Sequence, residues 1–353
     1  GGWTFLGYCD YDPSNSPGSN VYQFFVATGA RTGRTYDSVG NTIYAWWVKQ
    51  VTLNRYAAAA VDGKVTKLWA LKGAPLGYAC STTASTESAI RDKFPSAGIA
   101  GTTGWAPTFD TWTFAGYYNS GTGSTCYLTS SGGRSAKCPD NMPATIYAKW
   151  KRVVTLHYEN GTTGNASKTT VDACFNNPMP SVSKPAFSGW TFAGYWSKTK
   201  GEGDRYYNDN GSSAMTFSSS YGATNLYAKW VRTITLDPNG GNAQGSVSSI
   251  ELVSGQELPS KLPSGWEAPT NRGMCFAGYY EPYRSDIERY SFRGELLTGV
   301  NDLGLQNTPA VFKAKWQPIY EITLDKRGGS GGLDRFYVGY NTGFFSDAQC
   351  TKE

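Results

Sequence analysis

The chain has 353 residues, of which 15% are aromatic and 17% charged, with a net charge of +5. So many aromatic residues argue against a disordered chain, and the small, scattered positive excess argues against nucleic-acid binding. No apolar run reaches the roughly 18 residues of a membrane-spanning helix, so we expect no membrane insertion. The single histidine, His157, argues against triad and multi-histidine metal sites, so we expect neither an enzyme nor a cofactor.

An aromatic motif occurs four times along the chain. Its copies are Trp3-Thr-Phe-Leu-Gly-Tyr8, Trp112-Thr-Phe-Ala-Gly-Tyr-Tyr118, Trp190-Thr-Phe-Ala-Gly-Tyr-Trp196 and Met274-Cys-Phe-Ala-Gly-Tyr-Tyr280. In an extended chain Trp190 and Phe192 point to one side and the intervening residues to the other, which is the period of a β-strand. Gly194 ends this alternation and is expected to mark a bulge or a close approach of another backbone.

Two further strand motifs follow each aromatic motif in turn. The second motif reads Ile43-Tyr-Ala-Trp46, Ile146-Tyr-Ala-Lys-Trp150, Leu226-Tyr-Ala-Lys-Trp230 and Phe312-Lys-Ala-Lys-Trp316. The third motif comes directly after and reads Val51-Thr-Leu53, Val154-Thr-Leu156, Ile234-Thr-Leu236 and Ile322-Thr-Leu324. Alternation predicts that Leu226, Ala228 and Trp230 face a core. It predicts the same for Ile234 and Leu236.

The regular order of these motifs predicts a tandem array of one repeating unit. A complete unit runs from the third motif, through the aromatic motif, to the second motif. The complete repeats are 50–150, 151–230 and 231–316. The first repeat carries an insertion near residues 71–105, in which we expect a short helix that begins at Ser85 and ends before Pro95.

The two ends of the chain each hold half a repeat. Residues 1–49 contain only the C-terminal half of a unit, and residues 317–353 contain only the N-terminal half. Counting from Leu324 to the last residue, and then from the first residue to Phe5, gives 34 residues. The corresponding distances in the two complete repeats without an insertion are 36 and 40 residues. Joined, the two halves would therefore make one repeat of ordinary length.

Together with a Gly-Gly turn at Asn239-Gly240-Gly241, the three motifs resemble the Listeria–Bacteroides repeat, the InlB B-repeat type of bacterial surface proteins. The resemblance covers nearly the whole chain. It implies a mainly β fold, built of β-grasp-like small repeats with little helix, as a tandem array of three complete repeats and two half repeats. It also implies a location outside the cell or on its surface, and it offers no catalytic residues.

These observations lead us to expect an extracellular structural subunit that assembles head-to-tail into a filament. The C-terminal half repeat of one copy would complete the N-terminal half repeat of the next by strand complementation. The residues expected at this joint are Trp3, Phe5, Tyr8, Trp46, Ile322, Leu324, Phe336, Phe344 and Phe345. Two alternatives remain open: a piece of a longer array, and a chain whose own halves meet in a closed ring.

Seven cysteines without a Cys-x-x-Cys pair indicate an oxidising compartment rather than a zinc site. Cys126 and Cys138 flank a Gly-Gly turn 12 residues apart, which predicts a hairpin disulfide. Cys350 and Cys9 would be equally spaced in the joined half repeats, which predicts a disulfide between subunits.

A second function, from another class, is an adhesin that binds glycans or a host surface through exposed aromatic side chains. Most motif aromatics are, however, equally explained as core residues. An enzyme is the third class, with the carboxylate pairs Asp204/Asp209 or Glu202/Asp204 as acid and base. These carboxylates lie in polar, glycine-rich segments where solvated turns are the usual explanation.

Overall fold

A computed structural model describes most of the chain. The described residues are 2–9, 23–26, 28–29, 42–56, 67–74, 76, 78–79, 106–133, 137–163, 166–218, 222–282, 287–297, 311–339, 342–348 and 350. These residues are mainly β, as predicted, and contain no α-helix, only one 3-10 turn at Thr199–Gly201. The helix expected between Ser85 and Pro95 lies outside the described residues.

The described strands run in chain order as follows. They are β1 (Thr4–Cys9), β2 (Gln23–Val26), β3 (Tyr44–Asn54), β4 (Lys67–Leu71), β5 (Tyr78–Ala79), β6 (Thr113–Tyr118), β7 (Cys126–Thr129), β8 (Thr145–His157), β9 (Lys168–Cys174), β10 (Asn177–Pro178), β11 (Thr191–Trp196), β12 (Thr216–Phe217), β13 (Asn225–Asp237), β14 (Asn242–Gly245), β15 (Ser249–Val253), β16 (Trp266–Thr270), β17 (Met274–Glu281), β18 (Ile287–Ser291), β19 (Val311–Thr323), β20 (Arg335–Gly339) and β21 (Gly343–Phe345).

The chain forms two compact units. The first contains Gly1–Val154, Thr170–Pro180 and Met215–Thr224, and the second contains Thr155–Thr169, Ser181–Ala214 and Asn225–Glu353. The repeat boundaries proposed from the sequence stay a prediction.

Four long strands, β3, β8, β13 and β19, each run from a second motif into a third motif, with Ile43 directly before β3 and Leu324 directly after β19. In β13 the predicted boundary after Trp230 falls inside the strand, because the connecting residues Val231, Arg232 and Thr233 contain no turn former. The second motif therefore leads into the third without a linker.

Each long strand pairs with different partners along its length. Its first half pairs antiparallel with an aromatic-motif strand, as in β1–β3, β6–β8, β11–β13 and β17–β19. Its second half pairs antiparallel with a following strand in β3–β4, β13–β15 and β19–β20. The end of one long strand then lies parallel to the start of the next, as in Leu53↔Ile146, Leu156↔Leu226 and Leu236↔Phe312.

The predicted core faces are confirmed. Leu226, Ala228, Trp230, Ile234 and Leu236 are all buried, as are Trp190 and Phe192. Phe192 packs on Trp230 with ring centroids 5.6 Å apart. Alternation along each strand thus places one apolar face inward, and burial of these side chains stabilises the fold.

The predicted irregularity at Gly194 is also confirmed. The ladder between β11 and β13 shifts register between Phe192 and Tyr195, and Gly194 has a φ of 106°. A Cβ atom at this position would overlap the carbonyl oxygen of Tyr207. Only glycine allows this close approach of two backbones.

Candidate assembly surfaces

A tryptophan from the second motif closes each of three repeats onto the turn after its third motif. The indole N–H of Trp150 donates to the carbonyl of Tyr56 at 2.7 Å, and that of Trp230 donates to the carbonyl of Tyr158 at 2.7 Å. The indole N–H of Trp316 donates to the carbonyl of Pro238 at 3.0 Å. These contacts show what a third motif and its turn meet when the second motif of the same repeat is present.

At the C-terminal end of the chain, the third motif exposes its apolar face. Ile322 is 40% exposed and Leu324 is 41% exposed, whereas their counterparts in the other three copies are at most 5% exposed. The counterparts are Val51, Leu53, Val154, Leu156, Ile234 and Leu236. Tyr320, two residues earlier on the same strand face, is 57% exposed. We call Tyr320, Ile322 and Leu324 the C-terminal surface.

The exposure follows from the missing parallel neighbour. The ends of β3, β8 and β13 each lie beside the start of the next long strand, whereas within the described residues the end of β19 pairs only with β20. The neighbouring aromatics continue the apolar character. Phe344 is 66% exposed and its ring lies 5.3 Å from that of the half-buried Phe336.

At the N-terminal end, register identifies which tryptophan matches the closing tryptophans of the complete repeats. Phe5 pairs with Trp47, as Phe114 pairs with Trp150 and Phe192 with Trp230. The alignment that ends the first copy of the second motif at Trp46 is therefore wrong, and the matching residue is Trp47. The four-residue step from Ile146 to Trp150, repeated from Ile43 to Trp47, is the sequence signal that identifies the correct residue.

Trp46 has a different environment because it lies on the opposite face of β3. It is buried in a small core with Leu6, Val48, Leu71 and Ala74. In the other long strands the matching position is a lysine, so this second apolar face belongs to the first half repeat in particular.

The face of the N-terminal half repeat that carries Trp47 is open. Tyr8 is 40% exposed, Ile43 is 37% exposed and Trp47 is 39% exposed. Of their counterparts in the complete repeats, Trp316 is half-buried and the others are at most 3% exposed. The others are Tyr117, Tyr195, Tyr279, Ile146, Leu226, Phe312, Trp150 and Trp230. We call Tyr8, Ile43 and Trp47 the N-terminal surface. The pKa of Tyr195, a buried counterpart of Tyr8, is raised by desolvation.

The predicted joint residues therefore divide into three groups. Tyr8, Ile322, Leu324 and Phe344 are exposed. Trp3, Phe5 and Phe336 are half-buried, and the Trp3 indole donates to the carbonyl of Asp140 at 2.7 Å. Trp46 and Phe345 are buried. The structure thus leaves Trp46 and Phe345 out of the exposed surfaces, and adds Ile43, Trp47 and Tyr320.

Both predicted disulfides are wrong. Cys126 and Cys138 are free thiols. The backbone of Cys138 is hydrogen-bonded to Gly73 and Ala74, which holds this residue in the core and away from a hairpin with Cys126. Burial raises the pKa of the Cys138 thiol to about 12. Cys350 forms a disulfide with Cys275, with their Cα atoms 5.4 Å apart, and so is not available to Cys9.

The carboxylates considered for catalysis lie at exposed positions. Glu202, Asp204 and Asp209 are exposed, and Asp209 lies 4.0 Å from the guanidinium of Arg205. His157 lies in β8, where its Nε2 is 2.9 Å from Asn225 Oδ1 and its ring stacks on Tyr227. No group of His, Cys, Asp and Glu that could hold a metal ion occurs in the part of the chain that the structure describes.

No known protein family matches the chain, and no curated protein or solved structure matches it either. Among the described residues, no helix has the length and apolar character needed to cross a membrane.

Proposed function

We propose that this chain is a structural subunit that assembles head-to-tail, with the C-terminal surface of one copy packed on the N-terminal surface of the next. One observation carries the proposal. Positions that are buried in the complete repeats, with the half-buried Trp316 as the exception, are exposed at both ends of the chain, on the third motif at one end and on the first and second motifs at the other.

The two surfaces are complementary rather than merely apolar. In the complete repeats, the end of a third motif lies parallel to the start of a second motif, as Leu236 lies beside Phe312. The C-terminal surface presents only a third motif, and the N-terminal surface only a second motif with its aromatic partner strand. Bringing the two surfaces together would therefore recreate a contact that the chain already makes three times.

The geometry of such a contact determines the type of assembly. The two surfaces differ, so the contact is heterologous, and heterologous contacts produce open chains unless the rotation closes them into a ring. Among the described residues, the start of β3 and the end of β19 have no parallel neighbour, so their edges supply main-chain donors and acceptors for the same contact. A linear filament is thus the assembly that fits best.

An extracellular location is part of the same proposal. It is supported by the disulfide between Cys275 and Cys350, because disulfides persist mainly in oxidising compartments. The resemblance to the Listeria–Bacteroides repeat points to the same location.

The test is the size of the purified chain as a function of its concentration. We expect multi-angle light scattering after size exclusion to show a rising mass, and electron microscopy to show linear particles. Leu324→Glu places a charge on the C-terminal surface and should leave a folded monomer. Val153→Glu is the matched control, because Val153 is 56% exposed but belongs to neither surface. A folded wild-type chain that stays monomeric at every concentration would contradict the proposal.

A second candidate, glycan binding, is favoured by one cleft in the second unit. Its volume is about 750 Å³, and aromatic and charged side chains line it, including Trp266, Phe292, Glu267, Glu295 and Arg293. Sugar rings commonly stack on aromatic faces, and their hydroxyl groups donate hydrogen bonds to carboxylates. A glycan array that gives hits lost in Trp266→Ala would support this function, and an array without hits at micromolar protein would remove it.

A further inference from the structure

We propose that Trp47 of one copy inserts its indole into a preformed turn, Asp325–Gly329, of the preceding copy. This turn is called the indole seat below. The inference rests on the proposed head-to-tail assembly and names the contact that closes the joint.

Two complete repeats show what an occupied seat looks like. The turn after Leu236 accepts the Trp316 indole N–H on the carbonyls of Pro238 and Asn239, both at 3.0 Å. Gly241 lies beneath that indole, because a Cβ atom on Gly241 would overlap the Trp316 ring. In the preceding repeat, Gly161 lies in the same way beneath Trp230.

The seat at Asp325–Gly329 has the same backbone conformation as the turn that receives Trp316. The Arg327 N–H donates to Asp325 Oδ1 at 2.9 Å, just as the Asn239 N–H donates to Asp237 Oδ1 at 2.8 Å. The φ angles of Arg327 and Asn239 are 48° and 47°.

The following hydrogen bond is also the same. The Gly329 N–H donates to the carbonyl of Lys326 at 2.9 Å, and the Gly241 N–H donates to that of Pro238 at 3.0 Å. A carbonyl oxygen has two lone pairs, and at Pro238 the second one accepts the indole. Lys326 presents its carbonyl in the same arrangement.

The indole seat is open. A Cβ atom on Gly329 would meet only one atom of the described residues within 4 Å, the carbonyl oxygen of Lys326 at 3.3 Å. Among the described residues, no ring lies above Gly329 as one does above Gly161 and Gly241, although the turn has the same conformation.

Trp47 is the side chain that fits this seat. By its pairing with Phe5 it occupies the position of Trp230 and Trp316, and it is 39% exposed. The parallel registers Leu156↔Leu226 and Leu236↔Phe312 then set the alignment of the joint. They place Leu324 of one copy beside Ile43 of the next, so that two exposed apolar side chains cover each other.

Two substitutions separate the two sides of this contact. Trp47→Ala removes the inserted ring but keeps the seat, and Gly329→Ala fills the seat but keeps the ring. We expect each variant to be a folded monomer at concentrations where the wild type assembles, with an affinity at least about 30-fold weaker, as for a buried aromatic anchor. Ser330→Ala, beside the seat, is the matched control and should assemble like the wild type.

Mixing the two variants gives the decisive result. Trp47→Ala still offers its seat, and Gly329→Ala still offers its tryptophan, so an equimolar mixture should form a heterodimer that grows no further. Light scattering of the mixture measures this directly. Assembly of either variant alone at the wild-type concentration would overturn the proposal, and so would a mixture that stays monomeric.

Two further experiments distinguish a failure of the indole seat from a folding defect and from a failure of the proposed assembly. Should Trp47→Ala fail to fold, Trp47→Phe keeps a ring but loses the N–H donor, and it should still weaken assembly. Thr323→Cys and Thr42→Cys mark the predicted register and should cross-link between copies with a short bismaleimide. If the Trp47 variants cross-link at the same protein concentration as the wild type, the indole seat is refuted but the head-to-tail assembly is not. No assembly of the wild type would refute the assembly itself.

Discussion

Four leucines occupy the last position of the four copies of the third motif. Substituting them measures which of these side chains are covered by other parts of the chain. Leu53, Leu156 and Leu236 are at most 5% exposed, and Leu324 is 41% exposed. Leu236 and Leu324 lie in the same compact unit, so we compare Leu236→Ala with Leu324→Ala. The substitution is identical, and only the covering of the side chain differs.

The expected costs follow from burial. Leu→Ala removes three carbon groups, worth about 2.4 kcal/mol of transfer free energy when fully buried. At Leu236 a cavity adds to this, so the free energy of unfolding should fall by about 3–5 kcal/mol. Leu324 is about three-fifths buried and opens to solvent, so its loss should cost about 1.4 kcal/mol or less.

The assay is urea unfolding followed by tryptophan fluorescence, at the lowest practical concentration, where size exclusion shows a monomer. Circular dichroism of each variant serves as the control for fold. Equal losses at Leu236 and Leu324 in the monomer would refute the reasoning, because they would mean that Leu324 is covered within its own chain. Repeated on assembled material, Leu324→Ala should instead appear as a weaker assembly.

Three further predictions concern the fold. Gly194→Ala forces a Cβ atom onto the Tyr207 carbonyl and should lower the free energy of unfolding by more than about 3 kcal/mol. Gly240→Ala has open space around the new Cβ atom and should lower it by only about 1–2 kcal/mol. Urea unfolding measures both changes. Cys350→Ser opens a loop of 75 residues and should lower the free energy of unfolding by up to about 4–5 kcal/mol, while Cys126→Ser, at a free thiol, should not. Above pH 10 or so the unfolded chain releases tyrosine protons that the buried tyrosines retain, so stability should fall as pH rises, by up to about 1.4 kcal/mol per pH unit for each. Desolvation raises the pKa of these residues, namely Tyr195, Tyr207 and Tyr290. A free energy of unfolding that stays constant from about pH 8 to about pH 12 would contradict the last prediction.

Local patterns predicted the local structure well. Alternation identified the buried face of β13 from Leu226 to Leu236, and the broken alternation at Gly194 identified the bulge. Both features depend on neighbouring residues and on the period of a strand, which the sequence displays directly.

Features that depend on distant parts of the chain could not be predicted in the same way. The disulfide joins Cys275 in β17 to Cys350, residues 75 positions apart whose approach depends on the order of β17, β19 and β20. Equal spacings of 12 residues carried no information about that order. The choice between Trp46 and Trp47 likewise depends on pairing with Phe5, because adjacent residues of a strand face opposite sides.

The continuous strands have a mechanical consequence. Within the second unit, the first half of β13 bonds to β11 and its second half bonds to β15, so tension applied along β13 passes from one set of hydrogen bonds to the other without a flexible hinge. Because these bonds lie perpendicular to the strand, such a pull loads them in shear and all at once, rather than opening them one after another. Within this unit, β13 would therefore resist a pull along its length.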